Sequence, residues 1–190
     1  MFTLFHHPFC PQSRFIRLVI GEHGLDVRPV EERVWERREA FLALNPAGTT
    51  PVLIAEGVPP VPGAGIIAEY LDETHGGRIG ERRLLPASTP ERIEVRRLMA
   101  WFNEKFFEEV SGPLVTERIY KRFMGEDNGG GSPAMDVIRA ATAHVRYHLA
   151  YIGWLARTRN DLAADRRTFP DLAAAAPLSA IDYLGDVAWI

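Results

Sequence analysis

The sequence predicts an α/β domain over residues 1–77, then an all-helical domain over residues 90–190, with a linker over 78–89 between them. Three observations carry this reading. Short apolar runs alternate with helix-period stretches in the first part. Between Gly76 and Pro90 the composition turns to Gly, Arg and Pro. Everything after Pro90 reads at the helical period.

The elements follow in order. Phe2 to Phe5 is a brief apolar run, readable as a buried strand. Pro11 marks a first helical position, where its missing N–H is not needed. Phe15, Ile16, Leu18, Val19 and Ile20 continue that helix as an apolar stripe ending at Gly24. "LDVRPVEE" alternates as a second strand. "ERREAFLALNP" reads as a helix stopped by Asn45-Pro46. "TPVLIAEGVPPV" reads as two strands about a Glu56-Gly57 turn, and "GIIAEYLDETHGG" as a helix closed by glycines. The order is βαβ, α, ββα. Beyond the linker, Glu91 to Met124 forms one long amphipathic helix bent near Gly112-Pro113. "GEDNGGGSP" is a loop, and Ala134 to Arg157 a second long helix. "TFPDLAAAAPLSAIDYLG" forms a third, buried one, in which Thr168 and Asp171 have capping-box spacing. No internal repeat or heptad array is present.

Composition narrows the function. The chain has 190 residues, 46% hydrophobic and 25% charged, with a net charge of −3, which gives no general nucleic-acid or membrane-surface binder. A single cysteine excludes an internal disulfide framework and a multi-cysteine metal site, and points to a reducing compartment. There is no secretory leader pattern and no apolar run near the ~18 residues of a membrane span. The expectation is a soluble cytoplasmic protein without nucleic-acid or membrane partners.

The cysteine itself, Cys10 in "HHPFCPQSR", stands just before a helix start. The positive end of the helix dipole there favours a thiolate, and His6, His7 and Arg14 add positive charge. A thiolate so placed can form mixed disulfides. Equally, Cys10 reads as a small buried hydrophobe. His6 and His7 are adjacent on a strand and point to opposite faces, so they do not share a metal. His144 and His148 share a helical face but lack the glutamate pattern that completes a zinc site; no metal is expected. Tyr147, Tyr151 and Trp154 read as core or domain interface. "VWERRE" and "ERIYKRFMG" supply candidate partner-binding residues: Trp35, expected exposed in a loop, Arg37 and Arg38 on a solvated helix face, and Tyr120, Lys121 and Arg122 near a helix end. Basic residues near a helix C-terminus also read as plain dipole complementation.

"FCPQSR", "LNPAGTTPVL" and "TFPDLAAA", set in a βαβ-ββα unit followed by helices, resemble the glutathione transferase superfamily across essentially the whole chain. The resemblance implies a thioredoxin-like N-terminal domain, a C-terminal helical bundle and a homodimer. It also implies a cis peptide before Pro51, which presents the backbone of Thr50 to glutathione. Family members hold the γ-glutamyl end of glutathione with an acid–serine pair at the start of the third helix. Here Gly63 and Ala64 stand in that place, and Thr49 replaces a common lysine or glutamine. The cofactor site reads as degenerate, so no cofactor is required and glutathione is expected to bind weakly. A narrower resemblance, carried by "WERREAFLALNPAGTTPVL", "GPLVTERIYKRFM" and "VRYHLAYIGWLA", is to a division-associated group of transferase-fold proteins. That group binds the tubulin-like protein FtsZ, promotes curved filament bundles and usually continues past "VAWI" into a tail. It implies a non-catalytic regulator of FtsZ filaments at the division site. The alternative is a cysteine-type glutathione transferase or thiol transferase acting through Cys10.

Overall fold

The computed structural model describes residues 1–187; residues 188–190 lie outside the described residues. Strand β1 (Phe2–His6) leads through helix α1 (Pro11–Glu22) to β2 (Val27–Glu31), which pairs parallel to β1 with Phe2 opposite Val27 and Leu4 opposite Pro29. Helix α2 (Glu39–Leu42) precedes β3 (Val52–Ile54) and β4 (Val61–Pro62), and α3 (Ala64–His75) closes the unit. β3 runs antiparallel to β1 with Leu53 opposite Leu4, so the sheet order is β2-β1-β3-β4. This is the thioredoxin-like βαβ-ββα arrangement that the element order predicts.

The helical part comprises α4 (Thr89–Ala100), α5 (Gly112–Arg118), α6 (Met135–Thr158) and α7 (Phe169–Tyr183). Between α4 and α5 the chain stays helical but widens into two π-turns, Trp101–Lys105 and Phe107–Ser111. Wide turns free main-chain carbonyls from the regular ladder. Here the Asn103 carbonyl accepts 2.7 Å from Gln12 Nε2 of α1, which ties the two domains together. At Gly112-Pro113, where a bend is expected, the chain passes from the second π-turn into α5 with helical dihedrals at Gly112. A Cβ on Gly112 would lie 2.8 Å from the Phe107 carbonyl oxygen, so this close turn excludes a side chain.

One core cluster spans both parts of the chain, and a second, around Phe106, Val110, Ile138 and Ile181, lies within the helical part. In the first, Leu4, Phe15, Ile16, Leu53, Ile67 and Leu71 pack with Leu98, Phe102, Phe169 and Ala173, and Phe15 and Phe169 meet edge-on at 6.3 Å. The segment between the domains is pinned: Leu84 and Leu85 are buried, and Arg83 chelates the buried Asp72 carboxylate at 2.7 and 2.9 Å. At α7 the Thr168–Asp171 capping box is formed. No helix of the described residues is long and apolar enough to cross a membrane.

Two elements depart from expectation. Glu91 to Met124 is not one helix: the π-turns interrupt it, α5 ends at Arg118, and a 3-10 turn (Tyr120–Arg122) follows. "ERREAFLALNP" is not a continuous helix: a 3-10 turn (Val34–Glu36) precedes a four-residue α2. Arg37 lies between them at φ 46°, in the left-handed region, where helical hydrogen bonding cannot continue.

Candidate functional site

Cys10 is the N-cap of α1. Its Sγ accepts the Ser13 N–H at 3.4 Å, and the thiol lies 3.7 Å from the Thr50 carbonyl as a donor to it. With 6% of its surface exposed, the sulfur has little access to solvent. The Thr50–Pro51 peptide is cis. The Pro51 carbonyl accepts the Gly63 N–H at 3.0 Å, so the fold brings Cys10, Thr50, Pro51, Gly63 and Ala64 to one end of the sheet, past β1 and β4 and before β3. Gly63 has φ 88°, a conformation that L side chains rarely adopt, and Ala64 is buried. Replacing Gly63 by an acid therefore does not rebuild an anion-bearing site without backbone strain. The cavity beside the thiol, floored by Gln12, Thr49, Phe107, Thr116 and Tyr120, holds about 120 Å³. That is well below the ~300 Å³ at which ligand pockets usually begin.

The candidate partner residues divide. Trp35 is not exposed: 9% of its surface is accessible, and its ring packs on His7 at 5.4 Å and Tyr120 at 5.0 Å. His7 meets Tyr120 edge-on at 4.7 Å. Tyr120 is thus a wall of the thiol cleft, where burial and then the nearby Cys10 push its phenol above the ordinary range. Trp35 lies within the 3-10 turn Val34–Glu36 and is buried there, not exposed in a loop as the sequence suggests. Lys121 pairs at 2.7 Å with Glu117, whose carboxylate also accepts the Ala134 N–H. Arg37 and Arg122 are exposed and make no ion pair among the described residues. They stand near the aromatic triad that joins their two segments.

Arg38 is not on a free helix face. It holds Glu32, whose side chain is 0% exposed, through Nε at 3.2 Å and a second, shorter Nη2 contact. Sequence reading missed Glu32, because a charged residue at the end of an alternating strand looks solvated. Arg38→Glu is expected to lower the melting temperature clearly by leaving that buried carboxylate unpaired beside a second one. Arg37→Glu should leave it within about a degree, as ordinary surface substitutions do. Thermal melts of the two variants check this, and equal melting would mean that Glu32 is not held as described.

His148 is buried on α6, with Nε2 2.9 Å from Glu109 Oε2 and Nδ1 without a partner. His144 Nδ1 lies 3.4 Å from the Glu109 carbonyl. Among the described residues, no three His, Cys, Asp or Glu side chains are placed to hold a metal ion. His6, the last residue of β1, and His7, just after it, are both buried. Burial, the first cause in each case, pushes the pKa of His6, His7, His75 and His148 below the ordinary value. In the unfolded chain these groups take up protons near pH 6.5, before the folded protein does. Their stabilising contribution is therefore present above that pH and falls as pH drops below it. Melting temperature should decline from pH 7 towards pH 5. Glu94, held down to about 2 by Arg97 and Arg159, contributes a separate loss only at lower pH. A flat profile over pH 7 to 5 would contradict the assignment.

The fold and the cleft together define a class. The glutathione S-transferase N-terminal domain family matches residues 4–79, and the chain belongs to the glutathione S-transferase superfamily. Within it the chain is 40% identical over 190 residues to FtsZ-localized protein A of Caulobacter vibrioides, spanning 98% of this chain and 80% of that protein. The solved structure of FzlA from C. crescentus superposes with a TM-score of 0.87 at 39% identity, over 99% of this chain and 81% of that one. A glutathione S-transferase from Sinorhizobium meliloti 1021 superposes with a TM-score of 0.97 at 48% identity, over 100% of this chain and 82% of that one.

Proposed function

We propose that the protein is a non-catalytic transferase-fold factor that binds FtsZ filaments and regulates their curvature and constriction at the bacterial division site. The observation that carries this reading is the 40% identity, over nearly the whole chain, to a protein named for its localisation with FtsZ. The non-catalytic half rests on the cleft. Gly63 and Ala64 offer no charge or hydroxyl, and Cys10 is enclosed. The partner face is the rim where Arg37, Arg122 and the exposed ring of Phe123 surround the buried triad. The protein acts as a homodimer. Support comes from the groove of about 690 Å³ between α3 and α4, lined by Ile66, Tyr70 and Met99, with Ile66 and Ile93 exposed. The apolar side chains of this groove are flanked by Glu69, Glu73, Arg96 and Glu104, a mixed face of the kind that a two-fold contact buries.

The test is co-sedimentation with polymerised FtsZ. Wild type and Cys10→Ala should both pellet with filaments, Arg37→Glu with Arg122→Glu should pellet less, and added salt should weaken the wild-type interaction too. Wild-type protein left in the supernatant would sink the proposal. The second reading, a thiol transferase, is favoured by the sulfur's place at the N-cap of α1. It would take over if Cys10→Ala abolished a glutathione-dependent activity in a folded protein.

A further inference from the structure

The outer side of α6 carries a feature that the FtsZ reading does not use. Arg139, Arg146 and Arg157 are about two and three turns apart, so they align along one side of the helix over roughly 27 Å. All three are exposed, and none makes an ion pair among the described residues. From Val137 to Thr158 the helix contains no Asp or Glu, in a chain whose net charge is −3. The carboxylates that approach α6 from neighbouring elements are already engaged: Glu94 by Arg97 and Arg159, and Glu109 by Lys105 and His148. Exposed Ala143 and Ala150 separate the arginines and leave a shallow gutter between them.

Aromatic rings border this stripe. Tyr147 is 53% and Trp154 48% exposed. Trp154 stacks on Tyr151 at 6.1 Å and 11°, and Tyr151 meets Trp101 at 4.7 Å. Arg97 fixes the Tyr151 hydroxyl at 3.0 Å, and Lys105 lies 5.5 Å over the Trp101 ring. The strip is therefore preformed, and Trp, Tyr and Arg are the side chains that most often anchor interfaces.

We propose that this face of α6 is a protein-docking surface for an acidic segment with apolar side chains, its carboxylates meeting Arg139, Arg146 and Arg157 and its apolar groups lying on Tyr147 and Trp154. The uncompensated cations specify the acidic partner. The rings lie against one another instead of projecting as wedges, and this favours a peptide over a lipid surface. The surface is separate from the Arg37–Arg122 rim, so it stands or falls independently of FtsZ binding.

The experiment is a fluorescence-anisotropy titration of the full chain against a short labelled peptide of glutamate interspersed with leucine. Binding should saturate, weaken with added salt and perturb Trp154 fluorescence. Arg139→Gln with Arg146→Gln and Arg157→Gln should weaken it by about tenfold, since three exposed charge pairs are lost together. Trp154→Ala should weaken it by a smaller factor. Thermal melts confirm that the variants fold, and Arg146→Gln alone serves as the milder variant. Equal binding by wild type and the arginine variants, or no binding by wild type, overturns the proposal. So does a change of oligomeric state in the variants, which would make the face a subunit contact. Preferential binding to phosphatidylserine vesicles over the peptide overturns it in favour of a membrane.

Discussion

Calorimetric titration with glutathione should give a dissociation constant no better than about millimolar, two to four orders of magnitude weaker than a site with the full set of contacts. In the superfamily pattern, the α-ammonium and carboxylate of the γ-glutamyl end need an acid and a hydroxyl at the start of α3. Gly63 and the buried Ala64 supply neither. Charge-assisted hydrogen bonds of this kind are worth about 1.5–3 kcal/mol each, and two are absent. Space adds to the deficit. The cavity beside Cys10 holds about 120 Å³, and Trp35, His7 and Tyr120 pack together at its edge. Ala64→Ser should restore about tenfold at most, by returning one hydroxyl donor. Gly63→Glu should fold less well, because φ 88° costs a non-glycine residue about 1–3 kcal/mol. A micromolar constant for the wild-type protein would show that other groups capture the tripeptide, and the non-catalytic reading would lose its physical basis.

How much of this was legible in the sequence depends on the range of the signal. The strands, α1, α3, α6 and α7 follow local periodicity and punctuation, and Met135–Thr158 lies within a residue of the expected helix at each end. The gathering of Cys10, Thr50, Pro51, Gly63 and Ala64 came from the superfamily resemblance, because no local pattern brings residue 10 beside residue 50. Three features were out of reach. The inward Trp35 packs on His7 and on Tyr120 far along the chain, and the left-handed Arg37 that closes its turn carries no turn signal. Buried Glu32 and Asp72 look like ordinary surface acids until their arginine partners, Arg38 and Arg83, are seen across the fold. The π-turns at Trp101–Lys105 and Phe107–Ser111 keep helical composition, so a period count reads one long helix through them.

The expected result with the largest effect on stability is Asp171→Ala, which should cost about 2–5 kcal/mol and lower the melting temperature by roughly 5–15 °C. Asp171 does more than complete a capping box. Its Oδ2 accepts the Thr168 N–H at 2.7 Å and the Thr168 hydroxyl at 3.1 Å, while Oδ1 accepts the Leu162 N–H at 2.9 Å. Thr168 is 0% exposed, so water cannot replace the lost acceptor at that position. Two main-chain donors left without partners cost about 1–3 kcal/mol each. Thr168→Ala removes only the reciprocal half and should cost about 0.5–2 kcal/mol. The damage should also travel. α7 packs along α1 through Phe169 on Phe15, and Arg14 donates to Ser179 at 2.7 Å. Loosening the start of α7 therefore frees the helix that Cys10 caps, and alkylation of Cys10 by iodoacetamide should accelerate in Asp171→Ala under native conditions. Denaturant and thermal melts with alkylation kinetics check the whole chain of argument. If Asp171→Ala melts no lower than Thr168→Ala, the Leu162 contact does not contribute. If it melts lower while Cys10 stays as slow as in wild type, α7 and the thiol cleft unfold independently and the shared core does not couple them.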